Sequence, residues 1–313
     1  MRSGPPANRT CVGKDKALNS LQIDTVPLLR KPEWLKVRIP GSRPCRKVET
    51  ILRERRLHSV CREAHCPNIA ECFQDGTATF LILGDLCTRN CRYCNIAHGV
   101  PGPPDPDEPS RLVEAIQALG LRYVVITSVT RDDLPDGGAA HFSACIANIR
   151  QQIPGCRGEV LIPDFQGNRQ ALSQVMAAGP AVINHNLEVV PALFKDLRPE
   201  GDYRTSLALL KRIQEGASGK IVSKSGFMVG FGETWEAILS LLEDLAETGC
   251  SRLTIGQYQQ PTRNHWPVRK YYHPDEFQEI REAAAAMGFK HVEAGPLVRS
   301  SYRAAGACTD ISI

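Results

Sequence analysis

Short apolar runs alternate with longer segments that carry helix signals from residue 77 onward. Runs in which almost every residue is apolar, such as 123–127, are typical of parallel strands that are covered on both faces. The pattern predicts strands at 77–83, 122–127, 159–163, 181–186, 221–229 and 252–258. It predicts helices at 110–119, 139–152, 169–178, 203–215, 234–248 and 274–287, and a short final strand at 291–294.

The segments between the strands begin and end with residues that suit helix termini. Ser110 can cap the first of these helices and Gly120 can close it. Asn168 precedes a later helix, and Gly249 follows another. The helix at 274–287 opens with a proline and two acidic residues, which suit the positive end of a helix dipole.

Six strand–helix units in series imply an α/β fold, a partial (β/α)6 TIM-like barrel, over residues 76–294. We expect an N-terminal extension at 1–75 and a C-terminal segment at 295–313 to flank this barrel. Within the extension, residues 1–30 lack periodicity and predict a loose leader, and residues 46–56 predict a helix.

Polar and glycine residues follow the predicted strands, as at 127–134, 184–188 and 226–233. In parallel barrels the chemistry collects on the loops at the carboxyl ends of the strands. The glycine-rich stretch 226–233 matches no complete phosphate-binding pattern, so we expect it to allow a ligand to approach the backbone closely. His185 fits either a ligand contact or an ordinary hydrogen-bonded role.

Three cysteines, Cys87, Cys91 and Cys94, form a C-x3-C-x2-C pattern directly after the first strand of the barrel. Three thiolates on one loop can hold three corners of a four-iron cluster, and the fourth iron is then free to bind a small molecule. Tyr93 can shield such a cluster and flank a purine. A structural zinc site is the alternative, but it usually needs four ligands arranged as two separated pairs.

A second triplet precedes the first and consists of Cys61, Cys66 and Cys72, spaced as C-x4-C-x5-C. It offers three soft ligands and lacks a fourth nearby. His65 is the local candidate, although neighbouring side chains rarely reach the same metal comfortably. A zinc site completed by a distant residue remains an alternative here.

The chain of 313 residues contains twelve cysteines, and six of them fall in the two triplets. We expect the scattered six to be buried small hydrophobes or incidental surface thiols. No run is long enough to span a membrane, and the first ten residues lack the apolar core of a secretory signal. We therefore expect a cytoplasmic protein whose cysteines serve metal or redox chemistry rather than disulfides.

The formal net charge is +4 and comes without a dense basic block. No basic stretch is interleaved with aromatic residues of the kind that stack on bases, so we expect no nucleic-acid partner and no membrane partner. An acidic protein partner would suit the charge.

The pattern of Cys87, Cys91 and Cys94, with an aromatic residue before the last cysteine, resembles the signature of the radical S-adenosylmethionine (radical SAM) enzymes. The second triplet and the terminal Arg-Ser-Ser-Tyr at 299–302 narrow the resemblance to the lipoyl synthase family. The similarity runs from Lys31 along nearly the whole chain. Val189 is a small departure, because threonine is commoner there.

The resemblance implies insertion of two sulfur atoms, at C6 and C8, into an octanoyl chain held on a lysine of a carrier protein. Those C–H bonds are unactivated, so a cofactor must supply a radical. The resemblance assigns Cys87, Cys91 and Cys94 to a 4Fe-4S cluster that binds S-adenosylmethionine. It assigns a second 4Fe-4S cluster, the sulfur source, to Cys61, Cys66, Cys72 and Ser301, with Ser300 as the second choice for the serine.

Rim position alone predicts that Ser128, Asn186 and Glu188, beside Tyr93, contact S-adenosylmethionine. The partners implied are octanoylated lipoyl carrier domains, namely dehydrogenase E2 subunits and the glycine-cleavage H protein. A reductant such as flavodoxin or ferredoxin and iron–sulfur assembly proteins are also implied. The alternatives are another sulfur-inserting radical enzyme, such as biotin synthase or a tRNA methylthiotransferase, and a non-catalytic iron–sulfur electron carrier.

Overall fold

One sheet of eight strands organises the protein. The structure, a computed structural model, describes residues 29–36, 43–74, 78–217, 219–302 and 304. The strands follow one another across the sheet in chain order; β1 is antiparallel to β2, and all later neighbours are parallel. The strands are β1 His58–Ser59, β2 Thr79–Ile82, β3 Tyr123–Ser128, β4 Arg157–Leu161, β5 Val182–Asn184, β6 Val222–Val229, β7 Arg252–Gln257 and β8 His291–Gly295.

Helices connect the parallel strands and cover the outside of the sheet. They are α1 Arg43–Glu54, α2 Val60–Glu63, α3 Ile69–Gln74, α4 Glu108–Leu119, α5 Ala139–Gln152, α6 Arg169–Ala177, α7 Pro191–Leu197, α8 Tyr203–Gly216, α9 Trp235–Glu247 and α10 Pro274–Ala286. The alternation from β2 to α10 confirms the predicted α/β fold of the partial TIM-like barrel type. In the part of the chain that the structure describes, no helix is long and apolar enough to cross a membrane.

The six predicted barrel strands and six predicted helices all form, with small shifts at their ends. The helix α4 begins at Glu108 with Pro109 in its first turn, so Ser110 lies inside the helix rather than at its cap. Gly120 ends it in the left-handed conformation, at φ 68°, as expected. Asn168 caps α6 through its side chain, also as expected. The short helix α7 was not predicted.

The predicted leader and two of the scattered cysteines, Cys11 and Cys308, fall largely or wholly outside the described residues. The other four scattered cysteines are buried, as predicted: Cys45, Cys145, Cys156 and Cys250. No disulfide bond joins any of the ten cysteines that the structure describes.

Polar side chains as well as apolar ones fill the inside of the curved sheet. Lys224 on β6 reaches across β5 to Glu159 on β4, with 2.8 Å between Lys224 Nζ and Glu159 Oε1. Side chains two strands apart meet at this distance because the sheet curves around its interior. Apolar residues of the strands and helices pack between the sheet and the helical layer.

Candidate active site

The loop that carries Cys87, Cys91 and Cys94 leaves the carboxyl end of β2 and is closed by backbone hydrogen bonds. The N–H of Cys87 donates to the carbonyl of Ala97 at 2.8 Å, and the N–H of Cys94 donates to the carbonyl of Cys91 at 3.0 Å. The N–H of Thr130, from the loop after β3, donates to Cys87 Sγ at 3.3 Å. The barrel rim thus fixes the first cysteine.

Two thiols of this loop, those of Cys91 and Cys94, are largely buried, and burial disfavours their charged form. Burial raises the pKa of Cys91, and it raises the pKa of Cys94 to about 12, with the neighbouring thiols adding to both shifts. The charge of Arg198 opposes the shift at Cys91, and the backbone N–H of Ile96 opposes it at Cys94. A bound metal deprotonates a thiol outright, so these donors fit thiolates that a cluster would hold.

A buried arginine anchors the cysteine loop to the two neighbouring strands. Arg89 donates from Nε to Asp132 Oδ2 and from Nη2 to Asp164 Oδ1, at 2.6 Å each, after β3 and β4 respectively. Burial alone would raise the pKa of Asp164, but the hydrogen bonds and charge of Arg89 outweigh it and lower that pKa to about 2. Sequence reasoning missed this pairing.

A second buried arginine ties together the two ends of the same loop. Arg131 donates to the carbonyl of Leu83, before the loop, at 3.3 Å and to the carbonyl of Gly102, after it, at 2.8 Å. Its remaining donors bind the carboxylate of Asp133 at 2.8 Å. The Arg-Asp-Asp sequence at 131–133 therefore serves to shape the cysteine loop.

The three rim residues expected to contact S-adenosylmethionine are all at carboxyl ends of strands. Ser128 ends β3, and Asn186 and Glu188 follow β5. Asn186 Nδ2 donates to Glu188 Oε1 at 3.0 Å, and Glu188 takes a left-handed backbone conformation at φ 72°. Two buried oxygens, Ser128 Oγ and Asn186 Oδ1, have no hydrogen-bond partner among the described residues. Both oxygens can accept a hydrogen bond from a polar ligand, and the Ser128 hydroxyl can also donate one.

Arg198, at the end of α7, is a site residue that sequence reasoning missed. It donates to the carbonyls of Asn186 and Leu187 at 3.0 and 3.3 Å, and its guanidinium lies 5.0 Å from the ring centroid of Phe194. Burial raises the pKa of Glu188, while the charge of Arg198 opposes that shift. Arg198 thus places a positive charge between the loop after β5 and the cysteine loop.

Glycine and aromatic residues also line the site. A Cβ atom on Gly226 would lie 2.4 Å from Thr254 Oγ1, so only glycine fits at this point of β6. Rings from three loops pack in series: the centroids of Tyr93 and Phe231 are 6.2 Å apart, and Phe231 stacks on Tyr258 at 4.2 Å. Gly226 is therefore required by the packing of β6 against β7. The approach of a ligand to the backbone of 226–233 and the shielding of a cluster by Tyr93 stay predictions.

The second triplet lies on two short helices that precede β2 and on the turn between them. Cys61 is on α2, Cys66 lies between α2 and α3, and Cys72 is on α3. The N–H of Cys66 donates to the carbonyl of Cys61 at 3.0 Å. Burial, followed by the nearby Cys61, raises the pKa of Cys66.

The two cysteine segments are in direct contact. Asn95, which follows Cys94, donates from Nδ2 to the carbonyl of Glu63 at 3.0 Å and lies 3.1 Å from Nδ1 of His65. His65, the local candidate for a fourth ligand, is therefore hydrogen-bonded to the first cysteine loop. The segment between Cys61 and Cys66 thus lies against the loop of Cys87, Cys91 and Cys94.

The terminal Arg-Ser-Ser-Tyr segment, at the other end of the chain, contacts the segment that carries the second triplet. Thr79 Oγ1 donates to Ser301 Oγ at 2.8 Å. Asn68 Nδ2 donates to the carbonyl of Leu297 at 2.6 Å, and the Tyr302 hydroxyl donates to Glu71 at 3.2 Å. Asn68 lies between Cys66 and Cys72, and Glu71 directly precedes Cys72 on α3. The segment of Ser301 is therefore held against that triplet.

The cysteines do not converge on a single point. Within the described ranges, no three side chains of cysteine, histidine, aspartate or glutamate are close enough together to hold one metal ion. Each thiolate of a four-iron cluster binds a different iron, so cluster ligands need not be as close as the ligands of one ion. The two sets of thiols, with their N–H donors and neighbouring arginines, fit clusters in their chemistry.

His185 lies beneath the site in a fully buried position. Its Nδ1 donates to the carbonyl of Ile162 at 2.9 Å, and its Nε2 has no partner among the residues described. Burial and the nearby Arg198 lower the pKa of His185 to about 4. The imidazole is therefore neutral at physiological pH.

Neutral burial of His185 predicts a pH-dependent loss of stability. The unfolded chain binds a proton on this side chain below about pH 6.5 and the folded chain only below about pH 4, so stability falls as the pH drops through that window. The shift corresponds to a total of about 3 kcal/mol, of which about 1 kcal/mol is lost between about pH 7.5 and 5.5. His185→Gln is expected to remove this slope from urea unfolding curves. His98→Gln, which removes an exposed imidazole, should retain it; equal slopes in wild type and His185→Gln would contradict the prediction.

The fold and the site together define a class of enzyme. Residues 81–245 match the family model of the Radical SAM superfamily. Streptococcus suis SuiB bound to S-adenosylmethionine superposes with a TM-score of 0.54 at 13% identity, over 74% of this chain and 54% of that one. This chain spans about half the length of that protein, and the likeness supports the fold alone. The protein is a radical SAM enzyme.

Relatives that are similar over most of their length narrow the class. The chain is 54% identical to a lipoyl synthase of Methylococcus capsulatus over 88% of this chain and 86% of the relative. It is 53% identical to a lipoyl synthase of Haemophilus influenzae over 88% and 87%. The chain belongs to the lipoyl synthase family. It is accordingly a sulfur-inserting enzyme that uses S-adenosylmethionine and a 4Fe-4S cluster, acts on a lipoyl-carrier protein and requires a reductant.

Proposed function

We propose that this chain completes the lipoyl cofactor by two sulfur insertions, at C6 and C8 of a carrier-bound octanoyl-lysine, with a second 4Fe-4S cluster as the sulfur source. Cys87, Cys91 and Cys94 would hold the cluster that binds S-adenosylmethionine. The second cluster would be held by Cys61, Cys66, Cys72 and Ser301. In this proposal the extension 1–75 and the segment 295–313 supply the second site, and the barrel 76–294 supplies the first.

The observation that carries the proposal is the contact between the two cysteine segments. Asn95 bridges them, and Thr79 at the start of β2 bonds the Ser301 hydroxyl. The first cysteine loop follows that same strand. A radical formed at one site can act beside a sulfur donor at the other only if both sites face one substrate chain, and this arrangement supports that requirement.

The chain's own residues bind and orient the cofactor in this proposal. The unpartnered oxygens of Ser128 and Asn186 would accept hydrogen bonds from N–H or O–H groups of S-adenosylmethionine. The carboxylate of Glu188 would accept one from an amino or hydroxyl group of the same cofactor. The aromatic rings of Tyr93 and Phe231 would exclude water from the reacting atoms. When bound, the cofactor supplies the radical that removes hydrogen from unactivated carbon.

The proposed substrates are octanoylated carrier domains of dehydrogenase E2 subunits and of the glycine-cleavage H protein. A flavodoxin or ferredoxin would supply electrons, and iron–sulfur assembly proteins would restore the second cluster. The proposed location is the cytoplasm. The positive net charge of +4 supports an acidic carrier.

A single anaerobic turnover tests this function. The reconstituted enzyme is mixed with reductant, S-adenosylmethionine and an octanoyl-lysine peptide, and the peptide mass and 5′-deoxyadenosine are measured. We expect the peptide to gain two sulfur atoms and 5′-deoxyadenosine to form, with neither product when S-adenosylmethionine is left out. Cleavage without sulfur gain would indicate another substrate. No cleavage with intact clusters would favour an electron carrier.

A further inference from the structure

A buried ion pair inside the barrel has no part in the chemistry described so far. The side chains of Lys224 and Glu159 are 6% and 1% exposed, and Lys224 Nζ lies 2.8 Å from Glu159 Oε1. The hydroxyl of Tyr123 donates to the other carboxylate oxygen, Glu159 Oε2, at 2.5 Å. Glu159 is therefore fixed from two sides, and it fixes the ammonium group in turn.

The ammonium group of Lys224 also binds the terminal segment. Its Nζ donates to the carbonyl oxygen of Ser300 at 2.6 Å. This carbonyl belongs to the peptide bond that joins Ser300 to Ser301. An ammonium is a compact charge with three donors, so one lysine can hold the carboxylate of the barrel wall and the peptide of the terminal segment at the same time.

Two further contacts define where the terminal segment lies. Thr79 Oγ1 donates to Ser301 Oγ at 2.8 Å, one residue beyond the peptide that Lys224 holds. On the other side, a Cβ atom on Gly256 would lie 2.2 Å from the carbonyl oxygen of Val298. The segment therefore passes so close to β7 that only glycine is accommodated there, and the Ser301 hydroxyl contacts β2.

Stability alone does not account for a buried lysine at this position. Removing an ammonium and a carboxylate from water is costly, and well-packed apolar residues of similar volume are often at least as stabilising. A buried ammonium needs acceptors for its three N–H donors, and the Ser300 carbonyl is one of them. The bond to the Ser300 carbonyl is the contact that apolar residues could not replace.

We propose that Lys224, oriented by Glu159, is a positioning residue that sets Ser301 as the fourth ligand of the second cluster. This inference rests on the proposed function, in which Ser301 is that ligand. The peptide held by Lys224 orients the Ser301 backbone, and Thr79 orients its hydroxyl. The barrel interior thus prepares an oxygen ligand at a cluster whose other three ligands come from the N-terminal extension.

The test uses the reconstituted full chain with Cys87, Cys91 and Cys94 replaced by alanine, so that only the second cluster assembles. Mössbauer and EPR spectra of this cluster are compared with those of the Ser301→Ala variant, because loss of an alkoxide ligand changes the signal of one iron. The main variant is Lys224→Met/Glu159→Gln. It removes both charges together, whereas Lys224→Met alone would strand a buried carboxylate.

The parent protein is the chain that carries only the three cysteine replacements, and its spectra are called the wild-type signal. We expect the Lys224→Met/Glu159→Gln variant to lose this signal and to give the spectra of the Ser301→Ala variant. Adding Ser301→Ala to this variant should then change nothing further. Tyr123→Phe, which loosens Glu159 but leaves the bond from Lys224 to Ser300, is the matched control and should keep the wild-type signal.

Four results would overturn the inference. If the Lys224→Met/Glu159→Gln variant kept the spectra of the second cluster unchanged while Ser301→Ala altered them, the position of Ser301 would not depend on Lys224. A lower iron content than in Ser301→Ala would indicate a merely structural role. An equal change in Tyr123→Phe would assign the effect to the buried network as a whole. A wild-type signal in Ser301→Ala itself would remove Ser301 as a ligand, and the proposed assignment would fail together with the inference.

Discussion

Replacing Cys91 with alanine is expected to abolish cleavage of S-adenosylmethionine, whereas replacing Cys61 is expected to leave cleavage and abolish sulfur insertion. Cys91 lies on the loop at the barrel rim, beside Arg198 and the residues proposed to bind the cofactor. Cys61 lies on α2, in the segment proposed to hold the sulfur source. The two variants therefore separate the two triplets by function.

The expected loss in Cys91→Ala is at least about a thousand-fold in the rate of 5′-deoxyadenosine formation, or about 4 kcal/mol in activation free energy. In Cys61→Ala, 5′-deoxyadenosine should still form in the presence of reductant and octanoyl peptide, while the peptide mass gains no sulfur. Cys145→Ala, which removes a buried thiol from α5 outside both triplets, should retain both products. If Cys61→Ala lost cleavage to the same extent as Cys91→Ala, the division of roles would be wrong.

The parts of the fold that were predictable are those with a local signal. A continuous apolar run followed by cysteines at fixed spacing located β2 and the loop of Cys87 without any tertiary information. Helix ends were predicted where one residue decides the backbone, as with Gly120 and Asn168. The predicted cap of α4, Ser110, was wrong, because Asp107, Pro109 and Ser110 are all compatible with a helix N-terminus and the helix begins at Glu108.

The parts that were missed depend on contacts between distant residues. The helix α7 has seven residues, too few for a periodic pattern, and its stability comes from packing. Arg198 was overlooked along with that helix. Arg89 and Asp164 are 75 positions apart, and only the parallel register of β2, β3 and β4 brings their loops side by side. The same holds for the contact of Lys224 with Ser300.

Arg89→Met is expected to lower the free energy of unfolding by about 3–5 kcal/mol, because it leaves the buried carboxylate of Asp164 without its partner. The side chains of Arg89 and Asp164 are only 4% and 3% exposed, so water cannot replace the lost guanidinium. The same change releases the cysteine loop from β3 and β4, and iron bound by that loop is expected to fall. Urea unfolding and iron analysis in a Cys61→Ala/Cys66→Ala/Cys72→Ala background measure the two effects.

The contribution of Asp164 to the pH dependence of stability should reverse sign in this variant. In the wild type the pKa of Asp164 is lowered to about 2, so its contribution is present above the unfolded value near 4 and is lost as the pH falls from about 4 towards 2. Without Arg89, burial raises the pKa of Asp164, so the folded state takes up a proton on this carboxylate at a higher pH than the unfolded state does. The stability of Arg89→Met should therefore recover relative to wild type as the pH falls towards about 5. Adding Asp164→Asn should abolish this recovery.

Arg92→Met, at an exposed arginine of the same loop, is the control for the loss of stability and should cost less than about 0.5 kcal/mol. A cost equal to that of Arg89→Met would mean that charge on the loop, rather than the buried pairing, sets the stability of the loop.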